Sequence, residues 1–120
     1  MDAGGFRELR VWQSAKALAV SIYGYTSSGP LARDFGLRDQ IRRASVSIPS
    51  NIAEGDERDT NKDSVRFLYI AKGSLAELRT QLEIARDIGA VEPKIFSQLE
   101  VTCAEIGRML GSLIKARNKS

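Results

Sequence analysis

Apolar residues recur at intervals of three and four positions along most of the chain, and this periodicity limits the possible folds more than any other feature. The clearest stripe consists of Leu37, Ile41, Ala44, Ile48 and Ile52. Such spacing places side chains on one face of an α-helix, whereas a half-buried strand alternates apolar and polar residues. No segment shows the strand pattern, so the sequence predicts an all-α protein.

Four segments with helical spacing predict four helices. Their expected bounds are about 7–26, 34–54, 61–88 and 93–115, and both ends of the chain are expected to fray. The connections are mostly shorter than ten residues, among them a loop at 27–30, and short connections favour antiparallel neighbours. We therefore predict an antiparallel up-and-down four-helix bundle, formed as one domain by residues 1–120.

The second predicted helix contains Pro49, which lacks a backbone N–H and clashes with the preceding turn. Because the apolar stripe continues to Ile52, the sequence predicts a kink at Pro49 and an end to the helix at Gly55. Ser47, Asn51 and Glu54 lie close to the proline along the chain. They form either a polar functional site or, as we prefer, a buried hydrogen-bond network that fixes helix packing.

A glycine, Gly73, lies in the middle of the third predicted helix. Glycine in a helix interior costs about 1 kcal/mol relative to alanine, so a compensating contact is expected. We predict close approach of another helix, with the kinked second helix as the candidate, and a ligand notch is the alternative. Lys72-Gly73-Ser74 lacks the glycine-rich turn that a phosphate-binding loop requires.

The absence of certain residue types removes several classes of function. The chain contains no histidine, which excludes the commonest general base, the commonest zinc ligand and every Ser-His or Cys-His pair. Its single cysteine, Cys103, cannot form an intrachain disulfide or a cluster of thiolate metal ligands. The sequence has no run of about 18 apolar residues and no apolar signal-peptide core. We expect a cytoplasmic protein with no enzyme activity, no metal and no membrane span.

Basic residues outnumber acidic ones by 18 to 15, giving a net charge of +3. Arginine binds phosphate through two parallel hydrogen bonds, so arginine clusters favour contact with nucleic acid. The candidate nucleic-acid-binding residues are Arg38, Arg42, Arg43, Arg58, Lys115, Arg117 and Lys119. The alternative is a solvated surface in which these cations pair with nearby acids.

The third and fourth predicted helices are apolar over more than one stripe, which is more than a bundle helix needs for its own chain. The second stripe of the third helix is formed by Phe67, Ile70, Ser74, Gln81, Ile84 and Ile88. Self-association is the simplest explanation. Four aromatic residues are expected in the core or in an interface, with stacking on nucleobases as the alternative: Trp12, Tyr23, Tyr25 and Tyr69.

Four blocks of sequence carry a family resemblance. They are LRVWQSA (9–15), FGLRDQIRRA (35–44), SIPSNIAEG (47–55) and FLYIAKGSLAEL (67–78). The chain resembles, over about residues 9–113, the four-helix bundle family associated with intervening sequences in 23S ribosomal RNA. The family that it resembles is related to the accessory variability determinant of diversity-generating retroelements, a basic pentameric barrel that binds nucleic acid and a reverse transcriptase.

The resemblance implies an antiparallel four-helix bundle that assembles as a homopentamer, without enzyme activity or cofactor. Five copies, each with a charge of +3, would carry +15, which favours contact with a polyanion. The leading hypothesis is therefore contact with RNA or DNA through arginine-rich surfaces. The alternative is a scaffold that binds another protein and has no role with nucleic acid.

Overall fold

A computed structural model describes residues 5–119. The chain forms a 3-10 turn and five α-helices: Gly5–Glu8, then α1 (Arg10–Tyr25), α2 (Gly29–Arg33), α3 (Phe35–Asp56), α4 (Asn61–Asp87) and α5 (Pro93–Asn118). No strand occurs within these 115 residues, which confirms the predicted all-α class. The bundle measures 45 × 23 × 21 Å along its principal axes.

The four long helices surround one hydrophobic core. α1 packs on α3, α3 on α4, α4 on α5, and α5 back on α1, so neighbours in sequence are antiparallel neighbours in space. Each helix supplies at least one side chain that is at most 1% exposed, as Ile22, Ile48, Leu78 and Ile106 illustrate. This arrangement confirms the predicted bundle.

Side-chain and backbone caps fix the ends of α3 and α4. The Asp34 carboxylate accepts a hydrogen bond from the Leu37 N–H (3.1 Å), and the Thr60 hydroxyl accepts one from the Asp63 N–H (3.1 Å). These bonds satisfy N–H groups that have no partner within the helix. Gly89 follows α4 with φ of 76°, the left-handed conformation that ends many helices.

The predicted loop at 27–30 is partly wrong, because Gly29–Arg33 forms the short helix α2. Pro30 lies in the first turn of α2, where its missing N–H would have no helical partner. The helix places Leu31 in the core with an exposed fraction of 3%. A single buried residue anchors α2, too little to produce a periodic pattern.

The first helix is shorter than predicted and the second is slightly longer. α1 begins at Arg10, because extended Leu9 separates it from the 3-10 turn. α3 is helical through Pro49 and ends one residue beyond the predicted end at Gly55. The predicted continuation past the proline is therefore present.

The close helix approach predicted at Gly73 occurs at Gly55 instead. A Cβ atom added to Gly55 would lie 3.0 Å from the Ser64 carbonyl oxygen and 3.2 Å from Phe67 Cβ. A Cβ added to Gly73 would meet no atom within 4 Å, because that residue lies on the exposed side of α4. The prediction for Gly73 is therefore wrong, and α3 and α4 cross where Gly55 leaves room for the α4 backbone.

Candidate nucleic-acid interface

Polar residues beside Pro49 join α3 to α4. The Ser47 and Ser74 hydroxyl oxygens are 2.8 Å apart, and the Asn51 amide donates to the Ser47 carbonyl (2.9 Å) and hydroxyl (3.0 Å). All three side chains are half-buried. Hydrogen bonds of this kind hold two helices in register, which is what the packing interpretation of this segment requires.

Glu54 lies outside that network. Its carboxylate is exposed and accepts a hydrogen bond from the Arg58 guanidinium at 2.5 Å. Asn51 and Glu54 lie three residues apart on α3 and have different partners.

Arg42 is held at the end of α1 without any carboxylate. Its Nε donates to the Thr26 hydroxyl at 2.7 Å and its Nη2 to the Ser27 hydroxyl at 3.5 Å. Its guanidinium carbon lies 4.5 Å from the centre of the Tyr23 ring. The Thr26 hydroxyl donates in turn to the Ile22 carbonyl at 2.7 Å, which fixes the acceptor in place. The guanidinium is thus oriented by neutral groups, without an acid beside it to offset its charge.

Arg38 and Arg43 complete the α3 arginine cluster, which we define as Arg38, Arg42 and Arg43. Arg38 stacks on Phe35 at 4.9 Å and pairs with Asp39 at 2.9 Å. Arg43 is exposed and makes no hydrogen bond or ion pair with residues 5–119. Within residues 5–119, a single acid therefore pairs with a cluster of three arginines, and two of the three positive charges are not offset.

Arg117 is engaged within the protein. Its Nη2 donates to the Asp56 carboxylate and its Nη1 to the Ser64 hydroxyl, both at 2.6 Å. The Arg117 and Asp56 side chains are only 19% and 18% exposed. This clamp ties the end of α5 to the junction of α3 and α4 and leaves Arg117 poorly placed for an external phosphate.

Arg58 lies at the same junction and is also paired. It contacts Glu54 and lies 3.7 Å from the Asp63 carboxylate, while its guanidinium stacks on Phe67 at 4.4 Å. Two acids therefore offset its charge.

Lys115 and Lys119 are exposed and have no ion pair within the described part of the chain. They lie on the last turns of α5 and beyond, beside the junction that Arg117 binds. Arg42 and Asp56 are 14 residues apart on α3, a separation of about 21 Å along the helix axis. The candidate residues thus form two groups towards opposite ends of the bundle.

Charge is unevenly distributed along the sequence. Residues 9–53, which contain α1, α2 and most of α3, include six basic and two acidic residues. Residues 54–119 include eleven of each. The positive charge of the protein therefore belongs to the α1–α3 side, where the arginine cluster lies.

An apolar groove of about 540 Å³ runs between α1 and α3. It is lined by Trp12, Lys16, Ala19, Val20, Tyr23, Val46, Pro49, Ser50 and Ala53. Val20 is 65% exposed and Tyr23 45%. Trp12 and Tyr23 therefore both border a surface groove. Trp12 is partly buried and also packs against the core, whereas Tyr23 is exposed. Val20 lies outside the buried stripe of α1, and an apolar residue at such a position is the signal of this groove in the sequence.

Other sites for chemistry are not apparent in the described residues. No group of three or more Asp, Glu or Cys side chains within residues 5–119 is arranged to hold a metal ion. None of the helices in this range is long and apolar enough to span a membrane. Burial, reinforced by the nearby Glu100 carboxylate, raises the pKa of the Cys103 thiol to about 11, so it stays protonated at neutral pH.

Residues 7–112 match the family model of the 23S rRNA-intervening sequence protein. The chain belongs to this family. The match includes the α3 arginine cluster and ends before Lys115.

A member of the S23 ribosomal protein family from Bacteroides thetaiotaomicron VPI-5482 has a similar crystal structure, with a TM-score of 0.80 and 25% sequence identity. The similarity covers 88% of this chain and 98% of that one, which is described as a protein of unknown function. Comparison with curated proteins gives no match. Membership in the 23S rRNA-intervening sequence protein family therefore indicates the fold of the chain but not an activity.

Proposed function

We propose that this protein is a non-enzymatic, cytoplasmic helical bundle that assembles with copies of itself and contacts RNA or DNA through the α3 arginine cluster. A homopentamer is the assembly that the family resemblance implies. No cofactor takes part in this function.

The environment of Arg42 carries the proposal. Arginine is rarely buried without an acidic partner, and the acceptors of half-buried Arg42 are instead the hydroxyls of Thr26 and Ser27. Stacking on Tyr23 holds the guanidinium plane while the remaining N–H groups have no acceptor among residues 5–119. A phosphate oxygen would supply both the missing charge and the missing acceptors.

The charge distribution supports the same surface. Arg33 and Arg43 are exposed near Arg42 in sequence, and neither forms an ion pair within the described chain. Each copy in a homo-oligomer would contribute one such positive surface, so that several weak phosphate contacts act together.

A salt titration tests the proposal. The purified protein is titrated against a labelled structured RNA and a single-stranded DNA of matched length at increasing salt concentration. We expect binding near physiological salt, with a slope of log Kd against log salt that corresponds to several phosphates. Loss of binding well below physiological salt would contradict the proposal, and a preference between the two ligands would identify the nucleic acid.

The second candidate function is a protein-binding scaffold, and the α1–α3 groove favours it. Exposed apolar surface of this kind, with Val20 and Val46 at 65% and 42% exposure, is typical of protein interfaces. Under this reading, affinity purification returns a stoichiometric protein partner that resists nuclease treatment, and the salt titration shows no binding.

A further inference from the structure

We infer that the α1–α3 groove is a self-association surface that receives α4 of a second copy of the chain. The part of α4 that enters is its exposed stripe of Ile70, Glu77, Ile84 and Ile88, which we call the α4 ridge. This inference rests on the self-association proposed above and is independent of nucleic-acid contact.

The groove presents a cation between apolar side chains. Along α1, Lys16 lies between Trp12 and Val20, and the three side chains line one wall of the groove. The Lys16 ammonium lies 5.3 Å from the centre of the Trp12 ring and makes no ion pair with residues 5–119. Because the Lys16 ammonium has no acid beside it within the described chain, a surface that covers the groove would be favoured if it placed a carboxylate against this ammonium.

The α4 ridge presents the opposite arrangement. Ile70, Ile84 and Ile88 are 43%, 48% and 61% exposed, although isoleucine is normally among the most buried residues. Glu77 lies midway between Ile70 and Ile84, seven residues from each, and residues seven apart lie on one face of a helix about 10 Å apart. Glu77 is exposed and forms no ion pair within the described residues.

The two surfaces are complementary in polarity and in charge, and their lengths are compatible. A helix that places its apolar face in a groove is a common mode of recognition, with anchors at intervals of about seven residues. The groove from Trp12 to Tyr23 extends about 16 Å and the ridge from Ile70 to Ile84 about 21 Å, so the ridge is long enough to fill the groove. A contact between Lys16 and Glu77 would set the register of the apolar residues around it.

The two surfaces belong to different elements, which determines the geometry of assembly. A contact between unlike surfaces runs head to tail, and it closes into a ring if the rotation between copies permits. Tyr23 lines the groove and also carries the guanidinium of Arg42. Each junction between copies would therefore lie beside one α3 arginine cluster.

Two exposed valines provide a matched test. Val20, in the groove, and Val101, on α5 outside both surfaces, are 65% and 61% exposed. Val20→Glu is expected to reduce the mass in sedimentation velocity to that of a monomer at a concentration where the wild type assembles. Val101→Glu is expected to leave the mass unchanged. Circular dichroism checks that both variants are folded.

A charge exchange tests the register. Lys16→Glu and Glu77→Lys are each expected to weaken self-association about tenfold, and the double variant is expected to recover most of the loss.

Three outcomes of these experiments would overturn the inference. They are a monomeric wild type, normal assembly of Val20→Glu, and a double variant that assembles no better than the single variants. If Val20→Glu assembles normally and loses nucleic-acid binding, the groove belongs to the nucleic-acid surface instead. Loss of binding in an arginine variant of unchanged mass would leave this inference intact.

Discussion

Arginines on the two sides of the bundle have different kinds of partner. Arg42 and Arg43, on the α1–α3 side, have no carboxylate partner within the described chain. At the far junction, Arg117 binds Asp56 and Ser64, and between α4 and α5 Arg79 pairs with Glu100. The Glu100 hydrogen bond raises the pKa of Arg79, which shows that the pair stabilises its charged form. Arginines of the second group stabilise the fold, whereas those of the first group are available to an outside anion.

This difference means that arginine content alone is a poor guide to function. An arginine that pairs with an acid on another helix, such as Arg117, holds the helices together. An arginine whose partners are hydroxyls, such as Arg42, is a candidate phosphate contact. The comparison can be tested by changing matched residues on the two sides.

A large stability difference is expected between Arg117→Met and Arg43→Met. Removing Arg117 leaves the Asp56 carboxylate largely buried without its partner and should lower the free energy of unfolding by about 2–3 kcal/mol. The same change at exposed Arg43 should cost less than about 0.5 kcal/mol. Urea unfolding of both variants measures this, and equal losses would mean that Arg117 is no clamp.

Gly55→Ala and Gly73→Ala are expected to change the free energy of unfolding in opposite directions. A methyl group at Gly55 meets the Ser64 carbonyl oxygen at 3.0 Å and should destabilise the protein by about 1–3 kcal/mol. At Gly73 the methyl group is in open space, and the higher helix propensity of alanine should stabilise the protein by up to about 1 kcal/mol. Thermal unfolding distinguishes the two. Destabilisation by Gly73→Ala in the assembled protein would place that residue in an interface between copies.

The smallest effect is a dependence of stability on pH, caused by the buried thiol of Cys103 on α5. The folded protein raises the pKa of Cys103 from 9.0 to about 11, so the unfolded chain releases this proton first as pH rises. Unfolding therefore becomes easier above pH 9, and the effect is absent at lower pH. Between pH 8 and pH 10 the stability gap between the wild type and Cys103→Ala should narrow by about 1 kcal/mol. A gap that stays constant over this range would show that Cys103 titrates at its ordinary pKa.

Most of the fold could be predicted because local periodicity determines it. The predicted stripe of α3 is buried from Ile41 to Ile52. The buried residues of the other long helices also recur at intervals of three and four. α2 could not be predicted, since a single core residue, Leu31, gives no period. The choice between Gly55 and Gly73 as the point of close approach depends on how two helices are rotated against each other, which periodicity does not specify.

The candidate site was less predictable, because pairing between distant residues decides which arginines are available. Arg117 and Asp56 are 61 residues apart, and Arg42 and Thr26 are 16 apart. Neither partner could be identified from the sequence. From the sequence, Arg42 and Arg117 are equivalent candidates, whereas the structure gives them different environments.

Matched charge reversal tests the central claim most directly. Arg42→Glu/Arg43→Glu and Lys115→Glu/Lys119→Glu change the charge equally, at positions without acidic partners on opposite parts of the bundle. Fluorescence anisotropy with labelled RNA and single-stranded DNA at physiological salt measures binding, and sedimentation confirms that the mass of each variant is unchanged. We expect the arginine pair to lose nearly all binding and the lysine pair to stay within a few fold of the wild type. Equal losses in the two variants, or binding that survives the change of Arg42 and Arg43, would contradict the account.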